Sequence, residues 1–324
     1  MQTEPASQSD PAPADFAGQT ARRLFHATRP KFFPASVLPV VAGTAWGVYT
    51  GGNFHVVLAV LALVATICVH AGANVLNDVG DESGGTDRQN SDRIYPYTGG
   101  SRFIQTGIMD ASGMARLGIS LLAVAAVAGL ILIMLRGPVV LWFGLAGVLL
   151  AVLYSLGPVR LASIGLGELA VAVGFGVLPV VGAAWLQSGV VDLNAVMFSI
   201  PISAWVAAIL LINEVPDIQA DGTTGKRTLP VRLGNSGTAI LYIAIHILAL
   251  ATTVHLAAVG LLPIVAPLIP ALTLVLVFKA AAAIKTGVGD RDSMTAGIEA
   301  TLGVHTIGSL WLAGLALFRI FWPG

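Results

Sequence analysis

The chain has 324 residues, of which 56% are hydrophobic and only 10% charged, against about 25% charged in a soluble domain. That composition excludes a water-soluble globular protein and marks a polytopic, all-α membrane protein. Its 17 basic and 17 acidic residues cancel, which argues against a nucleic-acid partner and offers no net basic tether to a membrane surface, and the single Cys68 excludes an internal disulfide.

Residues 1–20 are rich in Pro, Ser, Ala and acid and lack the basic-then-apolar order of a signal peptide, so they are expected as a disordered tail. Residues 21–324 are expected to form one transmembrane domain. Arg22, Arg23, Arg29 and Lys31 precede the first apolar run as a positive anchor. A crossing helix needs about 20 apolar residues. On that ruler the chain holds about nine spans around a central cavity: residues 33–49, 54–77, 117–135, 139–154, 166–186, 193–215, 239–259, 261–284 and 298–322. Nearly all Lys and Arg fall with the N-terminus and the loops after spans 2, 4, 6 and 8, while only Arg136 and Arg319 lie near the other side. This bias places the first side in the cytoplasm and the protein in the cytoplasmic (inner) membrane. On that side the segments 78–116 and 217–238 are long and polar, as expected of a cap over a site.

Both polar segments begin with acids. In the first, Asn74 and Asp78 are four residues apart and Asp81 follows after three, so all three share a face if the span-2 helix continues to Asp81. Asn77 and Glu82 are expected to point elsewhere, Gly80, Gly84 and Gly85 to break the helix, and Asp87 to fold back. In the second, Asn213, Asp217 and Asp221 recur every four residues, with Glu214 off their face and a kink expected at Pro216. Carboxylates at membrane helix ends are costly in hydrocarbon and are expected to face a cavity or one another. The two clusters close spans that are four apart, a quasi-repeat that could bring them together across the cavity.

About four facing carboxylates would repel unless cations intervened, and Mg²⁺ suits hard oxygen ligands shared with phosphates. Lys226 and Arg227 follow Asp221, Arg88 follows Asp87, and Arg102 lies in the turn-like GGSR. Carboxylates, metal and basic side chains together are the inventory for a diphosphate. A structural ion-pair network and a cation-coupled carrier also fit acids in membrane helices; a CDP-alcohol phosphotransferase would need a DG-x2-AR pattern that is absent. The six histidines are scattered, although His70, one turn before Asn74, could line the cavity. Gly99-Gly100 and Gly165-Leu166-Gly167 lack the GKS/T of a phosphate loop and suit close helix packing.

The stretches NDVGDESGGTD and NEVPDIQADGTTGKRTLPVRLG, with RPKFFPASVLPVVAG (29–43) and YSLGPVRLASIGLGE (154–168), resemble the UbiA superfamily of intramembrane aromatic prenyltransferases, most nearly its 1,4-dihydroxy-2-naphthoate polyprenyltransferase branch. The resemblance implies nine helices around a cavity beneath a cap, and an isoprenyl diphosphate held by Mg²⁺ between the two motifs. It assigns Asp78, Asp81, Asp217 and Asp221 as catalytic metal ligands and Asn74 and Asn213 as supporting polar groups. Tyr154 and Arg160 match the loop after span 4 near the diphosphate, Lys226 and Arg227 fit the basic pair after the second motif, and Asp87 and Arg102 join the substrate-binding set. The loop YPYTGGSR departs from the branch pattern and leaves the acceptor open among dihydroxynaphthoate, hydroxybenzoate, homogentisate, haem and lipid.

Overall fold

Hydrocarbon offers no water to a backbone, so apolar runs that cross it must close their hydrogen bonds within themselves, as helices. The computed structural model describes residues 10–51, 53–84, 92–155 and 160–321, and none of these is in a strand. After the short α1 (Thr20–Ala27) come α2 (Pro34–Gly51), α3 (Val56–Gly84), α4 (Ala111–Arg136) and α5 (Val139–Ser155). Helix α6 (Gly167–Val171) continues through a π-helical turn, Ala172–Val177, into α7 (Leu178–Ser188). Then follow α8 (Leu193–Asn213), α9 (Ile218–Thr223), α10 (Leu229–Ala258), α11 (Leu268–Leu272), α12 (Leu274–Thr286) and α13 (Arg291–Phe321). Among the described residues eight helices are long and apolar enough to cross a membrane, and the 17-residue α5 fills the fourth expected span. The eighth span starts later than expected, because residues 261–267 include Pro263 and Pro267 and fold as turns.

Helix α8 is the axis of the bundle. Phe198, Ile202, Trp205, Ile209 and Ile212, spaced at three or four residues, are all buried, and Trp46 of α2 stacks on Phe198 with ring centroids 4.6 Å apart. Lipid is as apolar as leucine, so these helices associate by close packing rather than by escape from water. Glycine provides it. Gly43 and Gly47, one turn apart on α2, lie so near α7 that an added Cβ would stand 2.2 Å from the Val180 carbonyl oxygen and 2.3 Å from that of Ala184. Gly47→Ala is therefore expected to cost about 1–3 kcal/mol through overpacking, read as a lower thermal midpoint in detergent with turnover per folded molecule unchanged.

Within the stretch expected as a tail, residues 10–20 are described and pack against the bundle. Pro13–Phe16 forms a 3-10 turn, Phe16 is buried against Phe103 with centroids 5.1 Å apart, and Asp10 pairs with Arg93 and Arg102. Composition averaged over twenty residues hides one aromatic anchor and one paired acid, and those two contacts suffice to dock the segment.

Candidate active site

Helix α3 runs unbroken past Gly80 and Asp81 to Gly84, so the expected break falls later and the first acids stand on one continuous helix. Asp78 is buried, and its Oδ2 accepts a hydrogen bond from the Ser101 backbone N–H at 2.9 Å. That bond pins the loop after α3 onto the helix. Its Oδ1 is buried with no donor. Asn77 does not point elsewhere: its Nδ2 donates to Asp81 Oδ2 at 2.7 Å, the pairing natural to residues four apart. Asn74 Nδ2 donates to the Thr28 carbonyl at 3.1 Å, and Glu82 turns to the loop, accepting from Gln105 at 2.9 Å. Asp87 and Arg88 lie outside the described residues.

The second motif is broken where a kink was expected. Pro216 has no N–H to continue the ladder, so α8 stops at Asn213 and the chain turns before α9. Asp217 and Asp221 remain one turn apart, the Asp221 N–H donating to the Asp217 carbonyl at 2.8 Å. Asn213 stays on the preceding helix, its Oδ1 buried without a donor.

Lys226 joins the two motifs. Its Nζ lies 3.6 Å from Asp81 Oδ1 and 3.4 Å from Asp221 Oδ1, so one carboxylate from each acidic segment meets a single ammonium. Burial works against the ammonium, but Asp81 and Asp221 outweigh it and raise the lysine pKa. Burial likewise lifts the Asp221 carboxyl above its ordinary range, with Lys226 opposing the rise.

The four expected metal carboxylates do not meet as one cluster, and no three His, Cys, Asp or Glu side chains among the described residues converge to hold a metal. The arrangement is two carboxylates around one cation, and on the same two motifs Asp78 Oδ1 and Asn213 Oδ1 are buried with no donor. Such a set suits Mg²⁺, which takes one or two carboxylates and completes its shell with water and phosphate; the ammonium marks where positive charge is wanted.

The remaining basic residues divide. Arg102 has a left-handed backbone, φ 66°, and its Nε lies 3.6 Å from Asp10 Oδ2, toward the N-terminal segment. Arg160 and Arg227 are exposed, and the Arg227 backbone N–H donates to the Ser163 carbonyl at 2.8 Å. Tyr154 lines the interior: a Cβ on Gly167 would stand 3.7 Å from its ring.

Three residues here escaped the sequence reading. Glu214 does not sit idle off the acidic face: it and Glu168 are 9% and 5% exposed, and Glu214 Oε2 and Glu168 Oε1 are buried with no donor. Burial, and next the Glu168 charge, hold the Glu214 carboxyl well above the usual range. A glutamate opening a long apolar run was the available signal for Glu168. The third is Arg29, read as a membrane anchor, which lines a cavity of about 220 Å³ with His26, Lys31, Tyr95, Gly100 and Ser101. Because Ser101 is bonded to Asp78, this basic cavity opens beside the first acidic helix.

Comparison with known proteins agrees with this geometry. The model of the UbiA prenyltransferase family matches residues 36–297. The chain is 32% identical to the 1,4-dihydroxy-2-naphthoate octaprenyltransferase of Mycobacterium tuberculosis over 66% of its own length and 70% of that protein's. It is 31% identical to the enzyme of the same name from Escherichia coli, over 64% and 67% respectively. Among solved structures it resembles a UbiA homologue from Archaeoglobus fulgidus bound to DMAPP and Mg²⁺, with a TM-score of 0.62 and 18% identity over 88% of this chain and 99% of that one. These matches, with two acidic helix ends joined at one site, establish that the chain is a prenyltransferase belonging to the UbiA family.

Proposed function

We propose that the protein transfers a polyprenyl group from an isoprenyl diphosphate to 1,4-dihydroxy-2-naphthoate, a step toward a menaquinone, at a site facing the cytoplasm. The observation that carries this reading is Lys226 held between Asp81 and Asp221, which ties the two acidic motifs into one charge-balanced centre. Support for the acceptor comes from the names of the relatives and from the cavity of Arg29, Lys31 and His26, whose charge suits a carboxylated ring. The excess of Lys and Arg on the acid-bearing side supports the orientation.

In this mechanism Asp81 and Asp221, with Asp78, Asp217 and Asn213 of the same motifs, would hold Mg²⁺, which when bound supplies positive charge to the diphosphate oxygens. Lys226, with Arg160 and Arg227 at the rim, neutralises the charge that builds as the allylic C–O bond breaks and its electron pair leaves with diphosphate. The acceptor ring attacks the allylic carbon at its carboxylated position, and CO₂ leaves as aromaticity returns. The buried walls shield the allylic centre from water, which would otherwise capture it.

The test is to incubate membranes containing the protein with radiolabelled geranylgeranyl diphosphate and 1,4-dihydroxy-2-naphthoate, with and without EDTA, and to extract the lipid product. Product is expected, lost with EDTA and restored by excess Mg²⁺. Absence of any metal-dependent product sinks the transferase reading; product from 4-hydroxybenzoate alone overturns only the acceptor.

A further inference from the structure

The basic cavity beside the first acidic helix has two walls. One is α1 with the turn after it, which contributes His26, Arg29 and Lys31; the other is a loop of the cap, which contributes Tyr95, Gly100 and Ser101. The loop folds tightly on itself: the Ile94 N–H donates to Thr98 Oγ1 at 2.8 Å, and a Cβ added to Gly99 would stand 2.8 Å from the Arg93 Cβ. It also steadies the cations of the opposite wall. Arg29 Nη2 donates to the Tyr97 carbonyl at 3.3 Å, and the Lys31 ammonium lies 4.8 Å from the Tyr97 ring centroid. A shift of this loop therefore moves both a wall and the charges that face it.

The amino-terminal arm, residues 10–20, holds both walls. Asp10 sits between the two arginines that flank the lining stretch: its Oδ2 lies 2.5 Å from Arg93 Nη2 and 3.6 Å from Arg102 Nε, and its Oδ1 accepts from Arg93 Nε at 3.3 Å. One carboxylate thus cinches the loop at its two ends. Phe16 is buried between the walls, its ring centroid 5.7 Å from that of His26 on α1 and 5.1 Å from that of Phe103, two residues after Ser101. Asp10 also divides the charge. It occupies the arginines at the loop ends, whereas among the described residues no acid lines the cavity and none pairs with Arg29 or Lys31. An incoming carboxylate is drawn to Arg29 and Lys31 rather than to the outer arginines.

An arm that merely docked would need one anchor on one surface, but this one grips both sides of a cleft. We propose that the arm is part of the acceptor site: Asp10 and Phe16 set the separation of α1 from loop 93–102, and so the fit of an aromatic carboxylate between Arg29 and Tyr95. Both are positioning residues, acting through the walls they hold. The diphosphate end of the site has its own ties, because Ser101 is bonded to Asp78 at 2.9 Å and the Tyr97 hydroxyl donates to Glu299 at 2.7 Å, and neither bond involves the arm. The inference rests on the acceptor being a ring carboxylate, as proposed above.

The test is steady-state kinetics of the full-length protein in detergent with Mg²⁺, varying 1,4-dihydroxy-2-naphthoate and geranylgeranyl diphosphate in turn. Phe16→Ala should raise the acceptor KM about tenfold by letting the walls shift, with kcat and the diphosphate KM within about twofold of wild type. Asp10→Ala should raise the acceptor KM about threefold, since a partly exposed ion pair contributes little, and Asp10→Glu, which keeps the charge, should return it to the wild-type value. An acceptor KM that is unchanged in both alanine variants overturns the inference, as does an Asp10→Glu value no better than that of Asp10→Ala. A diphosphate KM that rises in step with the acceptor KM also overturns it, because the effect is then a general loosening through Asp78. Should Phe16→Ala fail to fold, Asp10→Ala and Asp10→Glu decide on the same criteria. A wild type that forms no prenylated product fails the functional reading itself, whereas an active wild type whose acceptor KM ignores the arm fails only this inference.

Discussion

Asp81→Ala is expected to lower prenyl transfer by at least about 10²–10³-fold while leaving the protein folded. Asp81 is partly exposed, with a side chain 27% accessible, and its contacts are Asn77 and the shared Lys226. Removing it strands no buried donor, because Lys226 retains Asp221. Asp78→Ala should also stop turnover, but for a mixed reason: it takes away the acceptor of the buried Ser101 N–H, a loss of about 1–3 kcal/mol. Steady-state turnover and thermal midpoints of both variants in detergent separate the cases. An Asp81→Ala enzyme with wild-type turnover would remove the first motif from the reaction, and an Asp78→Ala protein as stable as wild type would show that the loop is held by something else.

The second large effect is expected at Lys226. Lys226→Met should reduce turnover about 10²-fold through loss of a group that neutralises the leaving charge. It should also enlarge the rise in thermal midpoint caused by Mg²⁺ alone, with no diphosphate present. In the wild type the cation must compete with an ammonium already seated between Asp81 and Asp221; in the variant the two carboxylates face each other undamped. The lysine pKa is raised by those acids above a reference value of about 10.4. The ammonium therefore stays charged from about pH 6 to 9, and the contrast between wild type and variant should hold across that window. Equal Mg²⁺ shifts in the two proteins would show that Lys226 does not occupy the place of a divalent cation.

Much of this architecture is legible in the residues themselves. The apolar runs identify the spans because the bilayer imposes one length on every crossing segment, and the spacing of Asn74, Asp78 and Asp81 survives because α3 remains helical through Gly84. The second motif is read less well: a proline between Asn213 and Asp217 ends the helix, and spacing cannot say whether such a proline bends or breaks it. The bridging role of Lys226 and the burial of Glu168 and Glu214 depend on how α3, α6 and α8 cross, which is set by close approaches such as Gly176 against Ser203. Periodicity within one helix carries no record of its neighbour's register. Arg29 is hidden for a related reason, since the same residue serves as a basic anchor and as the wall of a cavity.

The docked amino-terminal arm has a practical consequence. The segment shared with the family begins at residue 36, yet Asp10 and Phe16 hold the loop that carries Arg93, Arg102 and Phe103. A truncated version starting at that boundary would strip a carboxylate shared by two arginines and uncover an aromatic ring. Slack introduced there passes through Ser101 directly to Asp78, so trimming what looks like a dispensable leader would loosen the catalytic end of the bundle.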